Sequence, residues 1–236
     1  MGSRGSEYES GGRREEQRDW IGESQNFDEL ETALSKTLGN TVMISDEMKQ
    51  KGNFEKIKRS VSAFNKMVEM FPMLKGEAMS LKWHKTQGGR INGMSAFGEM
   101  YFYGKFYKNK NPKEATDGGY FHPKNFTHEQ AIAHEIGHHL EMMVLRKMYP
   151  GKIKGELVTK WLNGDGFKNV FTQVHQKLQA QGYSGNEESM MWQISGYAKY
   201  NWSEAGAEAV ADVFSNGKNA SNISQMFVET LLENLK

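Results

Sequence analysis

Two histidines one helical turn apart, with a glutamate directly after the first, constrain this chain more than any other feature. Residues 134–138 read His134-Glu135-Ile136-Gly137-His138, and on a helix residues i and i+4 share a face. Two imidazoles so placed can bind one Zn²⁺, and a glutamate between them can reach a water on such an ion. The pattern requires a helix, and the flanking residues predict one. Thr127 followed by Gln130 reads as a capping box, in which hydroxyl and amide satisfy backbone N–H groups at the helix start. Ile132, Ile136, Leu140 and Met143 form an apolar stripe at helical spacing, and Pro150-Gly151 ends the run. His134 and His138 lie off that stripe, toward a different face.

A catalytic zinc site takes three protein ligands and keeps a fourth position open. The segment from Tyr197 to Asp212 offers carboxylates for the third. Its alanine-rich composition, with Asn201 or Ser203 as N-cap, predicts a second helix closed near Asn216-Gly217. On it Glu204, Glu208 and Asp212 line one face at i, i+4 and i+8. Like charges at that spacing repel by a few tenths of a kcal/mol per pair, so a cation opposite them would turn a cost into a gain. The alternative is a solvated acidic face.

With both motifs in view, the chain resembles a known family. His134-Glu135-x-x-His138, followed by Glu204-x-x-Ala207-Glu208-Ala209, is similar to the gluzincin branch of zinc metallopeptidases. The likeness is greatest to the lethal-factor-like members and to the zincin domains of phage and mobile-element proteins, over residues 90–215. The resemblance implies Glu204 as the third zinc ligand and Glu208 as the residue that steadies a ligand histidine. It also implies Tyr197, seven residues before the ligand, as a stabiliser of the tetrahedral intermediate, with Tyr200 as substitute. Glu208 followed by Asp212 fits the same ligand-plus-support pattern. The register on Glu204 is preferred because Tyr197 then falls in place and Ala207-Glu208-Ala209 matches the residues after the ligand.

Composition bounds the remainder. With 236 residues the chain can form one ordinary domain plus tails. Net charge +1 and 37% hydrophobic residues give no global electrostatic pull toward nucleic acid or membrane. No apolar run approaches the ~20 residues that span a bilayer, and no signal peptide opens the chain. The expected location is cytoplasmic or virion-associated. Cysteine is absent, so disulfides and thiolate zinc sites are excluded and His and Glu must carry any metal.

Along the chain, residues 1–25 are polar, glycine-rich and mixed in charge, as expected of a flexible lead or linker. Residues 26–236 are expected to form one zincin-like domain. In its N-terminal part (26–75) the apolar spacing predicts helices over Phe27–Leu38 and Asp46–Phe71, the second closed by Phe71-Pro72. Part 78–149 should hold a small sheet and the zinc helix. Alternating aromatic stretches at Leu81–Lys85 and Glu99–Tyr103, punctuated by glycines, predict strands there. A further strand at Gly119–Pro123 would precede the zinc helix, and in the resembling family that place belongs to an edge strand that pairs with extended substrate. Part 150–236 reads as helical and supplies Glu204. The fold class expected is therefore α+β: a zincin-like domain with a small antiparallel or mixed sheet, the His-Glu-x-x-His helix and a helical C-terminal half.

Other candidates read as structural. His84, His122, His128 and His175 are isolated histidines, and His139 points about 100° from His138 on the helix. Trp161, Phe171 and Val174 read as core. Met142-Met143 and Met190-Met191 suit either a core gap or a permissive binding wall. The function expected is zinc-dependent endopeptidase action on an extended peptide or protein, with Glu135 as general base, and apolar side chains near the scissile bond. The alternatives are a phage structural or assembly protein carrying such a domain with restricted activity, alone or within a larger chain, and a zinc-stabilised binding module without catalysis.

Overall fold

The computed structural model describes residues 19–38, 42–75, 79–84, 93–96, 99–103 and 127–236. Among the described residues ten α-helices run in chain order: α1 (Trp20–Glu23), α2 (Phe27–Leu38), α3 (Asp46–Lys51), α4 (Phe54–Met70), α5 (His128–Met148), α6 (Lys154–Leu162), α7 (Asp165–Ala180), α8 (Glu187–Ile194), α9 (Trp202–Asn216) and α10 (Asn222–Leu235). A 3₁₀ turn at Ala198–Tyr200 joins α8 to α9.

Local chemistry sets the helix starts. Asn26 Oδ1 accepts from the N–H of Glu29, Ser45 Oγ from that of Met48 and Asn53 Oδ1 from that of Lys56. The cap at Asn53 splits the single helix expected over Asp46–Phe71 into α3 and α4, because Gly52 and Asn53 adopt extended backbone between them. At α5, Thr127 Oγ1 accepts from the N–H of Gln130. The Gln130 side chain is buried without a hydrogen-bond partner among the described residues, so only the threonine half of the expected box forms. A short helix, α1, lies inside the stretch read as a lead, and its Ile21 belongs to the core.

The expected α+β class is overturned. The body whose side chains are described is 81% helical and all-α. Four short backbone segments, β1 (Val42–Ile44), β2 (Met79–His84), β3 (Gly93–Ala96) and β4 (Glu99–Tyr103), pair in the order β1-β2-β4-β3. Among the residues whose side chains are described, strand contributes only Ile44 to the core. The physical reason lies in the periodicities. Alternating aromatics specify extended backbone locally, whereas the apolar stripes at helical spacing supply the buried surface of the described core. The strand expected at 119–123 lies outside the described residues.

The core is organised around α5 and α9. Ile132, Ile136 and Leu140 of the α5 stripe are buried, as are Ala205, Ala207, Ala209 and Ala211 of α9. These small residues let the two helices approach closely. A Cβ at Gly137 would stand 2.8 Å from Ala207 Cα, a separation that no side chain tolerates. On the far side of α9, Phe171 and Phe227 pack with ring centroids 4.4 Å apart, joining α7 to α10. Met190 and Met191 are buried in this core, and Met142 in a smaller cluster under α6 with Leu145 and Leu157, so these methionines fill the interior. Among the described residues, no helix is long and apolar enough to cross a membrane.

Candidate metal centre

The close approach of α5 and α9 determines which polar groups meet. His134 and His138 project from one face of α5, and Glu204 stands in the first turn of α9, where its own N–H is capped by Asn201 Oδ1 at 2.8 Å. Glu204 Oε2 lies 3.1 Å from His134 Nε2 and 3.5 Å from His138 Nε2. The two Nε2 atoms are 3.2 Å apart. His134, His138 and Glu204 thus form a group able to hold a metal ion.

The fit to a metal can be tested on the separations and on the protons. Ligand distances of about 2.0–2.1 Å in tetrahedral geometry place donor atoms roughly 3.3 Å apart, and the three observed separations bracket that value. The far side of each ring is already engaged. His134 Nδ1 lies 2.8 Å from Glu208 Oε1, and His138 Nδ1 lies 3.0 Å from Ser203 Oγ. A carboxylate can only accept, so a proton on His134 Nδ1 faces Glu208, and with the ring neutral that tautomer leaves the Nε2 lone pair toward Glu204. His134 Nε2 and Glu204 Oε2, facing each other with His138 Nε2 beside them, call for a positive charge between them. In the metal-free protein a proton fills that need. Burial alone would depress the His134 pKa, but the hydrogen bonds to Glu204 and Glu208 outweigh it and raise it well above the usual histidine value. Burial likewise pushes Glu204 upward, and the two histidines overcome it and hold that carboxyl far below the usual range.

The supporting residues extend the site inward. Glu208 is 0% exposed, and its Oε2 accepts from Ser195 Oγ at 2.8 Å, while Ser195 Oγ accepts from the N–H of Ala198 at 3.1 Å. Ser203 Oγ donates to Glu141 Oε2 at 2.5 Å, and Glu141 Oε1 accepts from the N–H of Phe167 at 3.1 Å. Asp212 turns away from the cluster. Its Oδ1 accepts from Asn216 Nδ2 and its Oδ2 from the N–H of Ser221, tying α9 to the start of α10. The alternative register, with Glu208 as ligand and Asp212 as its support, therefore lacks the contact it would need.

Aromatic rings flank the imidazoles. Tyr197 packs on His134 with centroids 6.0 Å apart, and Trp161 meets His138 edge-on at 5.9 Å. Tyr200 stacks on Tyr197 at 5.2 Å and is largely exposed. Burial, reinforced by the negative charges of Glu204, Glu208 and Glu135, pushes the Tyr197 hydroxyl up to about 12, so it keeps its proton at any ordinary pH. Glu135 is partly buried beside the cluster, and its charge acts on both His134 and Tyr197.

The structure therefore brings together His134, Glu135, His138, Tyr197, Glu204 and Glu208. It leaves the other histidines apart. His139 is buried but outside the cluster, and His175 Nε2 lies 2.8 Å from the carbonyl of Gly185. The side chains of His84 and His128, and the whole of His122, lie outside the description. Sequence reading took Ser203 only as an alternative N-cap and Trp161 only as core, and passed over Glu141 and Ser195. Ser203 adjoins Glu204 and Glu141 follows His138 by three residues, but neither belongs to a motif. No protein-family model, no characterised protein and no solved structure matches this chain.

Proposed function

We propose that this protein is a zinc-dependent endopeptidase in which His134, His138 and Glu204 hold the ion. The observation that carries the reading is the convergence of three lone-pair-bearing atoms at tetrahedral separations, with Nδ1 of both imidazoles engaged behind them. Two neutral nitrogens and one carboxylate oxygen, without thiolate, suit Zn²⁺. A Zn²⁺ ion bound there would lower the pKa of a coordinated water toward neutrality and polarise a substrate carbonyl.

The residues of the chain divide the remaining work. Glu135 takes the proton of the attacking water and passes it to the leaving amine. The Tyr197 hydroxyl, protonated up to about pH 12, donates to the oxyanion that develops on the scissile carbonyl. Glu208 keeps His134 in the Nδ1–H tautomer, leaving Nε2 free to bind. Trp161 on one side and Tyr197 with Tyr200 on the other give the site an apolar rim. Such a rim suits extended segments with apolar side chains near the cleaved bond.

The test is hydrolysis of an unfolded protein mixture by zinc-reconstituted protein, with and without a chelator, alongside Glu135→Gln. The amide still hydrogen-bonds a water but cannot accept its proton. The variant should keep zinc and fold while losing activity by about 10²–10⁴-fold. Cleavage by the variant at the wild-type rate, or chelator-resistant cleavage, would overturn the proposal.

A further inference from the structure

His138 is oriented differently from His134, and the difference points to two residues outside any motif. His134 Nδ1 meets a carboxylate directly, whereas His138 Nδ1 meets a serine hydroxyl, Ser203 Oγ, at 3.0 Å. A hydroxyl can donate or accept, so by itself it leaves the imidazole tautomer undetermined. Ser203 is not by itself. Its Oγ lies 2.5 Å from Glu141 Oε2, and Glu141 Oε1 accepts the N–H of Phe167 at 3.1 Å.

We infer that Ser203 and Glu141 form a positioning relay that fixes His138 with its proton on Nδ1 and its Nε2 lone pair on the metal site. The relay rests on the metal-holding reading of His134, His138 and Glu204. Its polarity follows from the inventory of donors. Above about pH 7 the Glu141 carboxyl is ionised, and in that form it only accepts, so the Ser203 hydroxyl donates to it. The serine oxygen is then left to accept, and among the described residues the donor within reach is His138 Nδ1–H. Glu141 is 0% exposed and Ser203 is 7% exposed, so water has little room to substitute for either partner.

The cost of this arrangement shows that it is built in. Burial pushes the Glu141 carboxyl up to about 7, against the pull of its bonds to Ser203 and Phe167. A carboxylate in that position is a liability unless it acts on something. The backbone is shaped to receive it. A Cβ at Gly166 would stand 2.8 Å from Glu141 Cγ and 3.1 Å from the Glu141 carbonyl oxygen, so only glycine lets the first turn of α7 bring the Phe167 N–H to the carboxylate. One buried group thereby joins α5, α7 and α9 behind His138.

A purely structural role for Glu141, as an anchor for α7, predicts a different outcome from a relay, and Ser203→Ala separates them. That variant keeps Glu141 and its bond to Phe167 and removes the hydroxyl that bridges Glu141 to His138. Two measurements are made on the full-length protein: zinc affinity by competition with a chromogenic chelator, and the ¹⁵N shifts of the His138 ring. The relay predicts that Ser203→Ala weakens zinc by about 10–100-fold and moves the Nδ1 and Nε2 shifts toward a tautomer mixture, and that Ser203→Thr restores both. Glu141→Gln should reproduce part of the effect, because one amide oxygen cannot serve both Ser203 and Phe167. Zinc affinity within twofold of wild type and unchanged ring shifts in Ser203→Ala would overturn the relay while leaving the metal site standing. Absence of zinc binding by the wild type would instead sink the reading beneath it, and the ring shifts of the metal-free variants would still decide whether Ser203 sets the tautomer.

Discussion

Glu204 and Glu208, one helical turn apart on α9, address opposite nitrogens of the same imidazole. Glu204 Oε2 lies 3.1 Å from His134 Nε2, and Glu208 Oε1 lies 2.8 Å from His134 Nδ1. The pair thus divides into a group at the candidate metal position and a group behind the imidazole.

That division predicts unequal effects. Glu204→Ala removes a donor atom and should abolish stable zinc retention. Glu208→Ala leaves the three donors intact and should weaken binding by about 10–100-fold through loss of orientation. Equilibrium dialysis of both variants against graded zinc checks the ranking, and the reverse order would transfer the ligand role to Glu208.

The buried Glu141 predicts a pH signature in the metal-free protein. Its folded value of about 7 lies above the ordinary carboxyl value of 4.5, so folding favours the protonated form. The cost of ionising it is absent below 4.5, grows between 4.5 and 7, and is complete above 7. This amounts to on the order of 3 kcal/mol lost to folding at neutral pH. Glu141→Gln carries no such charge, so its stability relative to wild type should rise by about that amount from pH 4.5 to 7. Denaturant unfolding of both proteins at several pH values measures it, and a pH-independent difference would contradict the assignment.

Gly137 gives a packing prediction. A methyl group there meets Ala207 Cα at 2.8 Å, and backbone cannot swing aside as a side chain can. Gly137→Ala should force α5 and α9 apart and cost about 1–3 kcal/mol. His134 and His138 stand on one helix and Glu204 on the other, so zinc affinity should fall with stability. Thermal melting with and without zinc tests both, and unchanged melting would show that the helices are less tightly apposed.

The site was far more legible in the sequence than the fold. His134, His138 and Glu204 could be read because a metal needs donors at helical spacing, and that spacing is written directly in the chain. The helices α2 and α5 were equally plain, their stripes and caps being local. The break at Gly52-Asn53 was missed because an apolar period continued across it while a side-chain cap overruled it. The α+β class failed because short alternating segments announce extended backbone without stating how much of the core they bury. The link between Ser203 and Glu141 was invisible for a third reason. Their partnership joins positions 62 residues apart, and only the close crossing of α5, α7 and α9 brings them together.

The most direct test of the account is the zinc content of the wild-type protein after reconstitution and exhaustive dialysis, measured by elemental analysis against protein concentration. The account predicts one Zn²⁺ per chain, reduced to near zero in Glu204→Ala. A wild-type content near zero, or an equal content in that variant, would contradict it.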